Sequence, residues 1–257
     1  MSSPVMFISH GSPMFSVEPG RAGLLLNEQS ACFDHCRAIL ILSPHWITNG
    51  TKLSSTSKLE TIHDFGGFPS ELYEIEYPAT GDVNCAEEIK TCLKSAGISA
   101  VSDDNHGLDH GAWVPLIHLR PDADIPIIQV SLDQSHSLSS LYEMGQAFAP
   151  LKEKGIAIIG SGGITHNLFD IRRGSEQVAP YASRFQEWVR GKVRARALGQ
   201  LMNPQEYTSD FKRAHPTAEH YAPLLFALGA SEGSEEPLVL ESEILNYAIS
   251  MESYIWK

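Results

Sequence analysis

The chain alternates short, almost wholly apolar runs with longer amphipathic ones. The apolar runs predict strands that are buried on both faces, and they cover residues 4–10, 38–46, 125–132 and 155–162. The amphipathic runs predict helices with one core-facing stripe, over residues 82–96, 138–152 and 180–192. The tail 244–256 is rich in β-branched and aromatic residues, so we expect one or two closing strands there, which could pair antiparallel. This alternation predicts an α/β fold.

Length and composition narrow the class of protein. The 257 residues, 42% of them hydrophobic, are enough for a substantial core, and nothing marks an interdomain linker. We therefore expect a single domain over residues 1–257. With 19 Lys and Arg against 31 Asp and Glu, the net charge of −12 disfavours nucleic acid as a partner, since phosphate backbones are bound mainly by basic residues.

The chain shows no pattern for export or membrane insertion. Its first residues, MSSPVMFISHGSP, have no basic start, and no apolar run approaches the roughly 18 residues of a membrane helix. The four cysteines occur at helical spacings without a C-x-x-C zinc pattern, so we expect buried thiols. These features predict a cytoplasmic protein with no membrane partner.

Three of the predicted strands are each followed by a histidine. His10 follows VMFIS, His45 follows AILILSP, and His166 follows GIAIIGSGGIT. In open α/β sheets the carboxyl ends of the strands meet at one edge, where ligands bind. A lone histidine at a strand end is more often structural, but packing gives no reason for three such transitions, and neutral imidazoles are common metal ligands. We therefore expect a metal site at this edge.

The segment HPTAEHY, residues 215–221, offers a further ligand. Pro216 and Thr217 predict a helix start, which leaves Glu219 and His220 in the first turn, where either side chain could point to the sheet edge. His215 is expected to be an ordinary loop residue. The segment could therefore complete a metal site through a carboxylate or an imidazole.

Two irregular stretches, residues 58–81 and 103–113, are long for connections inside a compact domain. Their Gly, His and aromatic content favours a functional role. His110 in DHGAW could approach the metal site from the second stretch, and His63 in HDFGGFP could line a pocket. We interpret the remaining histidines as structural or surface residues: His35, His106, His118 and His136.

Few carboxylates stand beside these histidines, whereas dinuclear hydrolases generally place acidic residues between their two ions. The sequence therefore favours a single, mostly histidine site. With open coordination positions, such a site suits either zinc that activates water or non-haem iron(II) that binds substrate and oxygen together.

Six ordered motifs over about 210 residues then give the chain a specific resemblance: HGSP, SPHW, TIHDFGGFP, DHGAW, SGGITHNL and PTAEHY. This pattern resembles the class III extradiol ring-cleavage dioxygenases, of the DOPA 4,5-dioxygenase type. The resemblance implies a single-domain α/β fold with a central mixed, mostly parallel sheet flanked by helices. It also implies a mononuclear iron(II) that opens a catechol ring beside the two hydroxyl groups with O2.

Roles for individual residues follow from the resemblance. His10 and His45 match the two N-terminal metal ligands, and His220 matches the third. Relatives of the protocatechuate type place a glutamate at the third position, so PTAEHY leaves a choice between its glutamate and its histidine. His166 and His110 match the acid/base pair that flanks bound catechol, and whether His166 also binds the metal stays open.

Aromatic residues near these motifs are candidates for substrate binding. Trp46, Phe65 and Phe68 could form an apolar wall for a flat ring, with His63 beside them. The expected product is an open semialdehyde of the muconic type. The catechol itself and the oligomeric state are not determined by the sequence.

Two alternatives remain open at this point. The same histidines could hold zinc in a hydrolase of a small amide or ester, with His166 or Glu219 activating water. Zinc found in a purified sample would not decide between them, because it binds such sites more tightly than iron(II). A non-catalytic, partner-binding protein on the same scaffold is the second alternative.

Overall fold

An eight-stranded sheet separates two layers of helices in the computed structural model, which describes residues 2–257. The strands are β1 (Val5–Ser9), β2 (Ala38–Thr48), β3 (Thr51–Ser54), β4 (Ala100–Asp103), β5 (Ile127–Asp133), β6 (Ile156–Gly162), β7 (Leu238–Leu240), β8 (Ile244–Leu245), β9 (Ile249–Ser250) and β10 (Ser253–Trp256). The helices are α1 (Gly20–Glu28), α2 (Val83–Ser95), α3 (His110–Leu119), α4 (Leu138–Phe148), α5 (Pro180–Arg194), α6 (Leu198–Met202), α7 (Pro204–Tyr207), α8 (Phe211–Ala214) and α9 (Ala222–Ala230).

The strand order in the large sheet is β4-β3-β5-β2-β6-β1-β10-β7. The central strands β5, β2, β6 and β1 are mutually parallel. Antiparallel pairs flank them, with β3 on β5 at one side and with β10 on β1 and β7 on β10 at the other. This confirms the predicted α/β fold with a mixed, mostly parallel sheet, and it brings the carboxyl ends of the four central strands to one edge.

Burial on both faces explains why the central strands are continuous apolar runs. One core lies between the sheet and helices that include α2, α4, α5 and α9, and a second core lies between the opposite face and α1 and α3. All five residues of β1 and all seven of β6 are buried. A strand covered on both faces needs no polar alternation.

The four predicted central strands and three predicted helices are confirmed, with shifts of a few residues at their ends. The predicted helix 138–152 is shorter as an α-helix, because α4 ends at Phe148 and the chain continues as a 3-10 turn over Ala149–Lys154. The tail forms three short strands instead of one or two: β8 and β9 pair with each other, and β10 pairs antiparallel with β1 as expected. Among the described residues, no helix combines the length and the apolarity that crossing a bilayer needs.

The predicted helix start at Pro216 is wrong. Residues 216–221 form turns, and α9 begins at Ala222, with Pro223 in its first turn. Pro223 is the proline that stands before the continuous apolar run, and its fixed φ angle suits a first helical turn. All nine residues of α9 are buried. His220 and Glu219 therefore precede this helix and lie in the turn that leads into it.

Candidate metal centre

Five histidines from separate parts of the chain meet at the carboxyl edge of the sheet. His10 directly follows β1, His45 lies near the end of β2, His110 is the first residue of α3, His166 follows β6, and His220 precedes α9. The ring centroids of the first, second and fifth of these lie 5.0 to 5.3 Å apart. The predicted convergence of distant imidazoles is thus found.

Three of the five rings point the same nitrogen at a common centre. His45 Nε2 lies 3.2 Å from His10 Nε2 and 3.3 Å from His220 Nε2. Nitrogens that share one ion at bond lengths of about 2.1 Å are separated by roughly 3 Å. Both distances from His45 Nε2 therefore fit nitrogens that share a single small cation.

Hydrogen bonds at the far side of two rings fix where their protons are. Ser161 Oγ donates to the Gly111 carbonyl, so it accepts from His10 Nδ1, at 2.9 Å. His220 Nδ1 lies 3.2 Å from Glu219 Oε1, and a carboxylate can only accept. Both rings therefore carry their hydrogen on Nδ1 and leave an Nε2 lone pair facing the centre.

Burial keeps these imidazoles neutral. Desolvation, assisted by repulsion from the neighbouring imidazoles, holds the pKa of His10 and the pKa of His220 well below the usual range. Burial likewise lowers the pKa of His45 to about 3, against the attraction of nearby carboxylates. Lone pairs that face each other without a proton repel, and a divalent cation relieves that repulsion. The donor set thus fits a metal ion.

The end of β6 positions two of these histidines through the backbone. The His10 N–H donates to the Gly162 carbonyl at 3.0 Å, and the Gly163 N–H donates to the His220 carbonyl at 2.9 Å. A Cβ on Gly162 would lie 2.3 Å from that same carbonyl oxygen, so only glycine allows the approach. Glycine at position 162 therefore lets the end of β6 lie directly against the turn that carries His220.

The N-terminus of α3 packs against β2 at His45. Asp109 caps the helix by accepting from the Ala112 N–H at 3.2 Å, and it also accepts from Ser43 Oγ at 2.6 Å. A Cβ on Gly111 would lie 2.8 Å from His45 Cδ2, so glycine is required here as well. The sequence pattern did not single out Ser43 or Ser161, because their partners are distant in the chain.

His110 is held by a carboxylate from the other long stretch. Asp64 Oδ1 lies 2.9 Å from the His110 backbone nitrogen and 3.0 Å from His110 Nδ1. Burial opposes ionisation of Asp64, but the hydrogen bonds from His110 outweigh it, so the pKa of this carboxyl lies below its ordinary value. Asp64 stands in the HDFGGFP motif, but the site residues predicted there are His63, Phe65 and Phe68 and do not include it.

His166 stacks on His220, with ring centroids 3.5 Å apart and planes 4° apart. Its backbone N–H donates to the Ala214 carbonyl at 2.9 Å, while its ring makes no hydrogen bond to another described residue. Burial lowers the pKa of His166 to about 4, so the ring is neutral at pH 7. The nitrogens of these two rings and a Glu219 oxygen lie within 4.8 Å of one another.

Glu219 lies behind His220 instead of beside its Nε2 atom. Its Oε1 accepts from His220 Nδ1 and from Thr217 Oγ1, at 3.2 and 2.9 Å. The geometry therefore brings His220, and not Glu219, to the centre that His10 and His45 face.

The predicted aromatic wall is brought together in part. The Phe65 ring lies 5.7 Å from His110 and 5.5 Å from Phe68, and His63 lies 5.7 Å from Phe65. Trp46 is buried and stacks on His106, with the two ring centroids 3.8 Å apart. His106, predicted to be a structural or surface residue, therefore has Trp46 as an aromatic partner.

His215, expected to be an ordinary loop residue, is buried at the end of α8. Its Nε2 donates to the Ile164 carbonyl at 2.8 Å. A phenylalanine from α5, Phe185, packs edge-on against the ring. The residue belongs to the core beneath the site.

Comparisons with known proteins identify the family of this chain. The model of the family described as the catalytic LigB subunit of aromatic ring-opening dioxygenase matches residues 4–255. A 4,5-DOPA dioxygenase extradiol of Beta vulgaris is 37% identical over 92% of this chain and 90% of its own length. The Escherichia coli K12 protein of the same name is 35% identical, over 93% and 89%.

A solved structure gives the same result at the level of the fold. The crystal structure of an uncharacterized Escherichia coli K12 protein superposes with a TM-score of 0.81 at 29% identity, over 98% of this chain and 99% of that one. With the family match over nearly the whole length, these findings show that the chain belongs to the LigB family and is a class III extradiol aromatic ring-opening dioxygenase.

Proposed function

We propose that this enzyme opens the ring of a catechol with O2, at a non-haem iron(II) held by His10, His45 and His220, and releases a semialdehyde of the muconic type. The observation that carries the proposal is the meeting of three Nε2 atoms, with that of His45 3.2 Å from that of His10 and 3.3 Å from that of His220. Three neutral nitrogen ligands on one side leave the other coordination positions for substrate and oxygen.

The proposed reaction favours iron(II) over zinc as the bound metal. Bound iron(II) would supply electron transfer between the catecholate and dioxygen, which zinc cannot do because it has no accessible redox state. The relatives are named as dioxygenases, so iron fits the comparisons better than zinc does. Zinc in the purified protein remains an expected contaminant, since it binds imidazole sites more tightly.

Proton transfer falls to two further imidazoles. His166 is neutral at pH 7 and its ring nitrogens have no partner among the described residues, so it can accept the proton of a catechol hydroxyl. His110 is oriented by Asp64 and lies with its ring centroid 3.9 Å from that of His45. From that position it would stabilise negative charge on an oxygen or return a proton.

The substrate pocket is proposed to use the aromatic residues beside His110. Phe65 meets that ring edge-on and is backed by Phe68, while His63 is fixed by donating from Nε2 to the Ile75 carbonyl at 3.0 Å. A flat catechol ring fits against such a wall. DOPA is the first substrate to test, because two relatives are named for it. Trp46 stays a proposed lining residue.

The test is anaerobic reconstitution with iron(II), followed by addition of an oxygen-containing solution of one catechol at a time. The catechols to be compared are DOPA, caffeate and protocatechuate. We expect oxygen uptake and a yellow semialdehyde with at least one of them, and no turnover in the zinc-loaded enzyme. Hydrolysis of esters or amides by the zinc form without oxygen would contradict the proposal. Iron-loaded enzyme that consumes no oxygen with any catechol would contradict it as well.

A further inference from the structure

A small cleft opens between the loop that follows His10 and the loop that follows His166, and its volume is about 70 Å³. Gly11 and Leu168 line it from these two loops. Their strands, β1 and β6, are parallel neighbours, so both loops leave the sheet at the carboxyl edge where the five histidines meet. The cleft therefore lies next to the proposed metal centre.

The cleft and the His10 ring lie on the same face of the sheet. Ser161 Oγ contacts His10 Nδ1 at 2.9 Å and donates to the Gly111 carbonyl at the start of α3, so the ring is on the α3 side. Met251, which lines the cleft, belongs to the core on that side. Gly11 has a φ angle of +68°, and a Cβ there would lie 2.7 Å from Met251 Sδ. Glycine therefore brings the chain after His10 directly against the cleft.

The walls of the cleft are almost entirely apolar. They include large apolar side chains from three segments of the chain: Met14, Leu168, Ile171, Leu245, Ile249 and Met251. Two of these side chains remain in contact with water, because Leu168 is 61% exposed and Leu245 is 37% exposed. An apolar group bound in the cleft would cover both of them, which is favourable.

The charges around the cleft disfavour an acidic ligand. Among the described residues that line it, none is basic, and Glu18 is the one ionisable side chain. The guanidinium of Arg172, which follows Ile171, lies 3.8 Å over the Tyr247 ring instead. A carboxylate in the cleft would lose water without gaining a cation, and Glu18 would repel it. Burial there would instead favour an alkyl group, by about 4-fold in affinity for each CH2.

We infer that this cleft receives the ring substituent of the catechol, so that the preferred substrates carry a small, uncharged alkyl group. This placement rests on the proposed function, because the diol bound at the metal fixes where the substituent starts. A larger polar cavity, lined by Lys58 and Glu60 among others, would suit a zwitterionic substituent such as that of DOPA. We favour the cleft, since two of its walls continue the chain from His10 and from His166.

Binding to the zinc-loaded enzyme tests this without turnover, because zinc can hold the diol but transfers no electrons. Protocatechuate and the isopropylcatechol substituted at the same ring carbon are a matched pair. Each substituent is one carbon that bears two further non-hydrogen atoms, and only the carboxylate is charged. We expect isothermal titration to show at least about 10-fold higher affinity for isopropylcatechol. Catechol, methylcatechol and ethylcatechol should follow in rising affinity, by about 4-fold for each added carbon.

Leu168→Ala removes one wall and tests the location of the substituent. We expect the affinity for isopropylcatechol to fall by about 4- to 10-fold relative to that for catechol. Phe169→Ala is the matched control and should leave this ratio unchanged, because the neighbouring Phe169 is 91% exposed and does not line the cleft. Leu168→Lys adds a cation and should raise the affinity for protocatechuate by about 2- to 5-fold, a gain that a misfolded variant cannot give.

Equal or tighter binding of protocatechuate or DOPA to the wild-type enzyme, compared with isopropylcatechol, would overturn the inference and favour the polar cavity. A ratio of isopropylcatechol to catechol affinity that is unchanged in Leu168→Ala would overturn it too, as would the absence of binding by all of these catechols. If the expected ratios are found but the iron-loaded enzyme consumes no oxygen with any catechol, the proposed function alone fails.

Discussion

The site consists of two similar halves around His10, and they differ in how they are held. The His45 half contains His45, His110 and Asp64, and the His220 half contains His220, His166 and Glu219. Each half has an imidazole that faces the common centre, a second imidazole and a carboxylate. Both halves contain the same kinds of side chain, so they differ in the contacts that hold those side chains.

In the His45 half the carboxylate comes from a distant loop and fixes the second imidazole. Asp64 accepts from both the backbone and the ring of His110. In the His220 half the carboxylate is the preceding residue, Glu219, and the second imidazole, His166, only stacks on His220 at 3.5 Å. One half therefore holds its second ring rigidly, and the other leaves ring nitrogens free for proton exchange.

The largest effect should come from removing the free imidazole. We expect His166→Ala to lower kcat by about 10²- to 10⁴-fold, the usual contribution of a general base, while metal content stays near one ion per chain. Steady-state kinetics with metal analysis check this, with the exposed His35→Ala as control. Loss of the metal together with activity would instead show that His166 is a metal ligand. The two halves of the site would then not differ as described.

Acid should destabilise the metal-free protein. Burial depresses the pKa of His45 to about 3 and the pKa of His166 to about 4, below the unfolded value of 6.5. The unfolded chain then binds more protons, so the free energy of unfolding falls as pH decreases from about 6.5 to 4. Each such histidine contributes up to about 1.4 kcal/mol per pH unit.

Urea denaturation of the metal-free protein between pH 7 and 4 measures this slope. His166→Phe removes one of the protonated groups and should make the decline shallower. A free energy of unfolding that is constant over this range, or that rises on acidification, would contradict the assignment of neutral, desolvated rings. The difference between the two slopes gives the share of His166 in the pH dependence.

The smallest effect should come from Glu219→Gln. Glutamine can keep its oxygen on His220 Nδ1 and turn its NH2 group elsewhere, since Glu219 Oε2 has no hydrogen-bond partner among the described residues. We expect metal affinity to fall by less than about 10-fold, the lower end for residues that orient a ligand. Isothermal titration with Co²⁺ measures it. A loss of more than about 100-fold would contradict the assignment of Glu219 as a residue that only orients His220.

The elements that the sequence predicted correctly are those with a strong local pattern. The central strands are long, apolar and covered on both faces, so the sequence shows their positions without knowledge of their neighbours. Strands β3 and β4 were not predicted, because each has only four residues and mixed burial, and pairing with a neighbour defines them. The start of α9 was misplaced because two prolines, Pro216 and Pro223, offered a first turn.

By itself, the sequence determined the fold class, the family and the five histidines, since strand periodicity and ordered motifs are local properties. Only the tertiary structure decided which atoms meet. Glu219 and His220 are adjacent in the chain, and the turn before α9 alone directs the His220 ring to the centre. Asp64 contacts His110 across 46 positions of sequence. A hydrogen bond between such distant residues leaves no periodic pattern in the sequence, because it forms only once the sheet has brought its partners together.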